Sequence, residues 1–566
     1  MIELKWMGPS QRKFLERGYL YKGQTPEERY QEICDAIQLW CDKMGRTQYT
    51  QDIGKRFEMY ISRGWVSFSS PQLANFGKKD NLAISCNMSI LSDSLDDIYK
   101  GIHELGMLAK YGAGTSQNFS KLRPIGSDIQ TGGTSNSVMD WVELYADMMS
   151  KTSQNRQRRG FLTAYLSVDH PEINEFLDIG THRLPKDKRR FFETITTGVT
   201  LPRGWRKEMM EGDAKKREIW AKILKTKKEA GFPYIIDLEN ANNAKPQVYK
   251  DKEMDIETSN ICCEIIEYCD ETKTFACCVS SVNAYHFDEW KNHDYFIMDM
   301  NIMMDCVIQE YIEKGKHLPG MEKAVRFAEE HRAIGLGVLG FHSYLQKNMV
   351  AMGSLKSFAI NHELFSYIRE KSDEASRWMA ENWGEPKILK GYGLRNTTRI
   401  AQAPTKSTSF IMGGDELNLS EGIEPLNSNY NTKKRAHIQV EAKNPHLKAL
   451  LKEKGKDNSE VWNSILDYNG SVQHLDFLTQ DEKDVFKTAF EISQVDLIKL
   501  AAQRQKFIDQ GQSLNLFIHS GMSPKEVSKL HLLAFDEGIK SLYYQYGVNA
   551  AQQFIQTMNT CSSCEA

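Results

Sequence analysis

No apolar stretch of this 566-residue chain approaches the roughly 18 residues needed to span a bilayer. The opening MIELKWMGPSQRKF also lacks the hydrophobic core of a signal peptide. No membrane partner is expected, and the cytoplasm is the expected compartment. Positive charge is not in surplus either: 72 lysines and arginines stand against 75 aspartates and glutamates, a net charge of −3. That leaves no basic footprint for duplex DNA or RNA. Eleven cysteines are too few for a disulfide scaffold, and in a reducing compartment grouped cysteines point to catalysis or metal. Neither G-x-G-x-x-G nor a Walker pattern occurs, and no internal repeat or low-complexity tract is visible. The remaining composition, 40% hydrophobic and 26% charged, is that of an ordinary globular chain. It is long enough for several domains or one large α/β barrel.

What is present is organised around Asn260-Ile261-Cys262-Cys263-Glu264-Ile265. In an extended segment alternate side chains share a face, so Asn260, Cys262 and Glu264 would point the same way. A sulfur, a general base and a hydrogen-bonding amide could then converge on one small substrate. The plainer alternative is a half-buried strand carrying a structural cysteine.

Along the chain, Thr25-Pro26-Glu27-Glu28 predicts a capped helix start, and residues 1–65 read as a small helical region. The segment LAISCNMSI places Ser85 and Cys86 at a strand-like position. Asp93 lies just ahead of a helix start. Residues 111–137 are rich in Gly and Ser: either a loop whose amides could hold phosphate oxygens or a plain surface loop. Residues 152–161 form a basic loop with Arg156, Arg158 and Arg159. APTKSTSFIMGG offers Thr405, Ser407, Thr408 and Ser409 as uncharged hydroxyl donors suited to a phosphate. Residues 428–460 are charged and expected on the surface, and 480–515 reads as one long amphipathic helix. Near the end stand Tyr543 and Tyr544, then Cys561-Ser562-Ser563-Cys564-Glu565-Ala566. A CxxC dithiol on a terminal tail can exchange disulfides with a pair elsewhere, or form half a zinc site.

The Asn-x-Cys-x-Glu segment, the flanking Cys86 and Cys277, the tandem tyrosines and the C-terminal dithiol together resemble the large catalytic subunit of class I ribonucleotide reductase. GIEP (422–425), RAIGLGVLGF and QSLNLFI (512–518) belong to the same likeness, which runs from about Ser67 to Ala566. The resemblance implies a ten-stranded α/β barrel of two five-stranded halves with a central finger loop, over residues 66–550, followed by a redox tail, 551–566. Cys262 would carry a transient thiyl radical, and Cys86 with Cys277 would supply two electrons; the adjacent Cys278 keeps that assignment open. Glu264 would take the 3′-hydroxyl proton and Asn260 would bond substrate hydroxyls. Tyr544 and Tyr543 would relay the radical from a metal-containing small subunit. Cys561 and Cys564 would reset the active-site disulfide and be reset by thioredoxin or glutaredoxin. Ser70, Ser85, Thr405, Ser407 and Thr408 would hold substrate phosphate, with Ala113 and Gly114 on the floor of the site. Lys406 departs from the family, which often has an acidic residue there, and either strengthens phosphate binding or lies at the surface. Asp93, Arg123 and Arg158 match a dNTP/ATP effector region, in which Gln130 replaces an arginine of some relatives. The Lys-rich N-terminal module of longer relatives is missing, so ATP/dATP on-off control is expected to be absent. A homodimer acting on ribonucleoside diphosphates is implied, with no cofactor or metal held by this chain and a viral origin compatible with its short form.

Two alternatives remain. A cobalamin-dependent class II reductase would share the cysteines but has no need of a tyrosine relay. A zinc-bound structural or nucleic-acid-binding protein would need ligands beyond the terminal CxxC.

Overall fold

The computed structural model describes residues 2–79, 81–84, 86–130, 132–152, 161–181, 183, 195–435 and 438–547. Ser85, Arg158, Cys561 and Cys564 lie outside these residues.

The strands β1 (Val66–Phe68), β2 (Cys86–Ile90), β3 (Gly114–Asn118), β4 (Leu162–Ser167), β5 (Ile195–Leu201) and β6 (Tyr234–Asp237) lead into β7 (Phe275–Asn283) and β8 (Ile334–Leu339). A hairpin, β9 (Tyr430–Arg435) and β10 (Ile438–Lys443), is followed by β11 (Leu516–Ile518), β12 (Ser541–Leu542) and β13 (Gln545–Gly547).

From β2 to β6 the strands pair in parallel, each with the next. At one end β7 lies antiparallel to β2, with β1 extending that edge, and parallel to β8. At the other end β12 lies antiparallel to β6, and the chain continues into β13, parallel to β11. Parallel bridges from Gln512 to Gln402 and from Ile400 to Leu336 join these pieces back to β8. The circuit closes with ten lanes: two parallel halves of five, antiparallel where they meet. Closure removes exposed sheet edges, which are otherwise a liability. The ten-stranded barrel inferred from the family likeness is borne out.

Sequence explains the strands. Those covered on both faces are continuously apolar or small: every residue of β5, β7 and β8 is buried. The glycines of RAIGLGVLGF are required by close approach. A Cβ on Gly337 would stand 2.6 Å from the Ala401 carbonyl, and one on Gly335 would stand 2.8 Å from the Ala401 Cβ. The 400–402 lane packs directly on this strand for that reason.

Three helices precede the barrel, Pro9–Leu15, Pro26–Gly45 and Ile53–Ser62. Thr25 caps the second: its hydroxyl accepts from Glu28 N at 3.2 Å and the Glu28 carboxylate accepts from Thr25 N at 2.8 Å, worth about 1 kcal/mol. Their apolar faces do not form a separate core. Leu15, Ile33, Ile37 and Phe57 join one cluster with Met303, Ile334 and Leu336 of the barrel layer.

Two local expectations change. Residues 480–515 hold two helices, Gln480–Val485 and Gln494–Gln505. Between them Thr488 turns its amide and hydroxyl onto the Glu491 carboxylate at 2.8 and 2.9 Å, and Ser493 caps the second helix through Asp496 N; such local bonds compete with a continuous helix. The Gly/Ser-rich stretch 111–137 is not all loop, because Gly114–Asn118 is the fully buried β3.

Candidate active site

The ladder sets the first part of the site. Cys86 pairs with Gly114 on one side and directly with Cys277 on the other, so three strands carry one row of residues. Side chains directly opposite in an antiparallel pair share a face, with Cα atoms about 4.5–5.5 Å apart. That is within disulfide reach. Cys278 points the other way: it packs with Ala276 in the outer core, while Cys277 packs with Cys86, Phe275 and Val279. Geometry therefore separates the two adjacent thiols. Burial, then the negative charge of Glu267, pushes the Cys277 thiol well above its ordinary pKa, opposed by a Gln510 N–H donated to its sulfur at 3.3 Å.

The second part is the loop carrying Cys262. Residues 258–267 are buried yet belong to no helix or strand. Buried backbone must find partners, and here the barrel's side chains supply them. Tyr165 Oη donates to Asn260 O at 2.7 Å, Thr163 Oγ1 to Ile261 O at 3.4 Å and Ser513 Oγ to Cys262 O at 2.7 Å. Gly511 N donates to Glu264 O at 2.7 Å, and Gln510 Oε1 accepts from Ile266 N at 3.2 Å. Because Gln510 also reaches Cys277, one amide ties the loop to the facing thiol pair.

The loop corrects the extended reading of the hexapeptide. Cys263 has φ +69°, in the left-handed region, and its N–H bonds to Asn260 O at 3.2 Å, closing a turn. The Asn260 amide is also partly committed: its Oδ1 accepts from Ile265 N at 3.0 Å. Its Nδ2 is buried without a hydrogen-bond partner among the described residues. Glu264 Oε2 accepts from Ser513 Oγ at 3.1 Å. Cys263, buried behind the tip, has its thiol pushed up to about 12 by burial, with Ser541 and Lys227 acting in the opposite sense.

Tyr543 and Tyr544 form the third part. Their rings lie 4.4 Å apart edge to face, and Tyr234 packs against both, at 4.6 and 5.2 Å. Tyr543 is fully buried in one cluster with Cys262, while Tyr544 sits half-buried at its margin. Lys227 Nζ donates to Tyr543 O at 2.5 Å and to Pro233 O at 2.9 Å; burial lowers its pKa to about 7.

The hydroxyl residues lie around the helix Lys406–Leu417. Ser407 Oγ is buried with no hydrogen-bond partner among the described residues. An unmet buried hydroxyl costs about 1–3 kcal/mol, and at a helix N-terminus it suits an anion. Thr408 Oγ1 bonds to Thr405 O at 3.4 Å, and Thr405 Oγ1 accepts from Gly422 N at 2.7 Å, so both serve local structure. Ser70 accepts from Tyr19 Oη at 3.0 Å. Lys406 is half-buried and its Nζ donates to Tyr546 Oη at 3.0 Å. Ala113 is buried immediately before Gly114. Asp93 and Arg123 bond to each other at 2.7 Å on the surface. Gln510, Ser513, Tyr165 and Thr163 were not singled out from sequence; only Gln512–Ile518 carried a signal, as a family phrase.

A closed barrel threaded by a cysteine-bearing loop, beside a pair of facing thiols, is the architecture of a barrel oxidoreductase. Comparison with known proteins narrows this. A family model for the ribonucleotide reductase barrel domain matches residues 84–212, 204–387 and 381–545. The ribonucleoside-diphosphate reductase large subunit of Invertebrate iridescent virus 3 is 31% identical over 603 residues, covering 94% of this chain and 92% of the relative. That of Caenorhabditis elegans is 27% identical, covering 95% and 76%. The solved Actinobacillus ureae class Id ribonucleotide reductase alpha subunit matches with a TM-score of 0.87 at 41% identity, covering 98% of this chain and 99% of that one. The chain belongs to the ribonucleotide reductase family, among its large, barrel-bearing subunits.

Proposed function

We propose that this protein reduces ribonucleoside diphosphates to 2′-deoxyribonucleoside diphosphates as the large subunit of a class I enzyme. The observation that carries the reading is the ladder register opposing Cys86 to Cys277, joined through Gln510 to the loop that bears Cys262.

A ribose 2′-hydroxyl is a poor leaving group by ionic routes. Removing the 3′ hydrogen atom with a sulfur radical at Cys262 makes its loss as water feasible. Glu264 takes the 3′-hydroxyl proton, which requires an ionised carboxylate held close to the sugar. Cys86 and Cys277 supply two electrons and two protons and become a disulfide; Cys262 returns the hydrogen to C3′ and regains its radical. Asn260 Nδ2 and Ser407 Oγ, buried and without a hydrogen-bond partner among the described residues, support polar contacts to a substrate. The radical reaches Cys262 by hydrogen exchange: a small-subunit radical takes hydrogen from Tyr544, Tyr544 from Tyr543 and Tyr543 from Cys262. The edge-to-face contact of the two rings and their packing in the cluster with Cys262 support that order. Cys561 and Cys564 are proposed to reset the disulfide, with thioredoxin or glutaredoxin as final donor. Asp93 and Arg123 are proposed as part of an effector site. The buried thiols of Cys34, Cys41, Cys269 and Cys306 fit a reducing compartment such as the cytoplasm. Among the described residues, no helix is long and apolar enough to cross a membrane.

The test is conversion of CDP to dCDP by the purified chain with a small subunit and thiol reductant. Cys262→Ser should lower turnover by at least about 10³-fold with CDP binding retained. Turnover surviving in that variant, or a wild-type preparation that binds zinc and reduces nothing, overturns the proposal.

A further inference from the structure

Lys406 is the one residue of the hydroxyl-rich segment whose destination the sequence left open, and its side chain runs to the tyrosine cluster. Its ammonium donates to Tyr546 Oη at 3.0 Å and stands 5.4 Å from the ring centre of Tyr544 and 5.7 Å from that of Tyr546. Both distances are within cation–π range. Burial works against the charge, but Tyr546, Glu421 and Glu424 outweigh it and hold the group above its ordinary pKa. The Lys406 ammonium therefore sits on the outer end of the tyrosine cluster.

Tyr546 creates the need for it. Parallel pairing of β13 with β11 stacks Tyr546 on Phe517 at 5.3 Å and brings it within 6.1 Å of Tyr544. Tyr544 thus has three tyrosine neighbours, Tyr543 at 4.4 Å, Tyr234 at 5.2 Å and Tyr546 at 6.1 Å. The first two belong to the buried cluster that holds Cys262, whereas Tyr546 packs outside it, on Phe517. If Tyr544 is oxidised, two balanced exchanges compete. Productively, the Tyr544 radical takes a hydrogen atom from Tyr543, leaving Tyr543 oxidised. Wastefully, it takes one from Tyr546, leaving Tyr546 oxidised. A cation over an aromatic face is attracted by the π electrons of the reduced ring, and an N–H donated to a phenol oxygen ties down the electrons that oxidation must remove. Tyr544 receives the first effect alone; Tyr546 receives both.

We propose that Lys406 is a positioning residue of the radical relay that keeps Tyr546 reduced and so directs the unpaired electron from Tyr544 to Tyr543. This rests on the relay reading given above. The experiment uses the complete enzyme, with small subunit, CDP, effector and reductant. Lys406→Met should lower kcat about tenfold with KM for CDP within twofold, and frozen turnover samples should show a new tyrosyl EPR signal. Lys406→Arg should retain activity. Adding Tyr546→Phe to Lys406→Met should remove the signal and restore kcat to within about threefold, because the side branch is gone; a general packing defect would not be rescued this way. If Lys406→Met is poorly folded by thermal unfolding, the same comparison on Lys406→Gln decides. The proposal is overturned if Tyr546→Phe fails to rescue, or if KM rises while kcat holds, which would return Lys406 to phosphate binding. Tyr544→Phe is the control for the underlying reading: full activity there refutes the relay itself, whereas an inactive Tyr544→Phe beside a normal Lys406→Met refutes only the role of Lys406.

Discussion

Two pairs of cysteines face each other inside this molecule, and they differ in everything except proximity. Cys41 of the helix Pro26–Gly45 and Cys306 of the helix Phe296–Gly315 hold their sulfurs 3.5 Å apart, both with no solvent exposure. Cys306 meets Ile37 O besides its partner, and burial pushes its thiol well up. Cys86 and Cys277 are also buried, but they sit on the barrel's inner face, in a register fixed by two ladders. There an amide N–H is aimed at one sulfur, and the loop carrying Cys262 hangs from the same amide. Closeness of two thiols is therefore not what marks a reducing pair. Buried cysteines mostly behave as small apolar side chains. Function needs a disulfide-compatible register, a polar hand on the sulfur and a reacting centre alongside.

The sharpest break in this comparison lies within one dipeptide. Cys277 and Cys278 are neighbours in sequence but point to opposite faces of β7, where Cys278 Sγ accepts from Gln72 Nε2 at 3.1 Å in the outer core. Cys277→Ser should reduce thioredoxin-driven turnover at least about 100-fold, because one of the two electron-donating thiols is missing. Cys278→Ser should stay within about threefold of wild type. The reverse pattern in a steady-state dCDP assay would mean that the ladder register does not choose the reducing thiol.

The residues proposed for the chemistry were legible because thiols, a carboxylate and paired tyrosines in that order are rare together. The scaffold that aims them was not. Tyr165 and Thr163 lie nearly a hundred positions before the loop they support, and Ser513 about 250 after it; no local periodicity links them. The hexapeptide looked extended because its pattern alternates, yet tertiary bonds from two barrel segments, β4 and residues 510–513, hold a turn with Cys263 left-handed. The barrel itself was legible only through family phrases. Three of its lanes are two- or three-residue pieces and single bridges, too short for periodicity to register. Lys406 was visible as an anomaly, but a side chain's charge does not say where a four-carbon stem will carry it.

A second test concerns the chain of polar groups that only the barrel pair possesses. Gln510 Nε2 also donates to Thr398 Oγ1 at 3.0 Å, Thr398 donates in turn to Glu267, and Tyr249 Oη donates to the same carboxylate at 2.7 Å. Burial raises the Glu267 pKa from 4.5 to about 7 against these hydrogen bonds. A carboxyl group that binds its proton more tightly when folded contributes stability that is complete below pH 4.5 and is lost as pH rises towards 7. At about 1.4 kcal/mol per pH unit the loss is about 3 kcal/mol. Glu104, also raised to about 7 by burial, adds to the same window. Denaturant titrations from pH 4.5 to 8 should therefore show Glu267→Gln with a shallower fall in stability than wild type. Equal slopes would mean that Glu267 is ionised throughout and that Gln510 is held by an anion rather than an acid.

The smallest effect belongs to the helical pair, and it is the most direct check on what proximity means. Cys306→Ala removes one sulfur from a fully buried contact between the N-terminal helices and the barrel layer. The transfer loss and the small void should cost about 1 kcal/mol in unfolding free energy, seen as a lower denaturant midpoint at unchanged slope. Turnover should not change, since these sulfurs belong to the outer cluster that packs the N-terminal helices and not to the clusters that hold Cys262, Cys86 and Cys277. Cys41→Ala should cost a similar amount, and the double variant less than the sum of the two, because each single change has already broken the shared 3.5 Å contact. A several-fold drop in dCDP formation in a variant that is otherwise this stable would show the helical thiols exchanging electrons with the barrel. Facing sulfurs would then be functional here wherever they meet, and the contrast between the two pairs would fail.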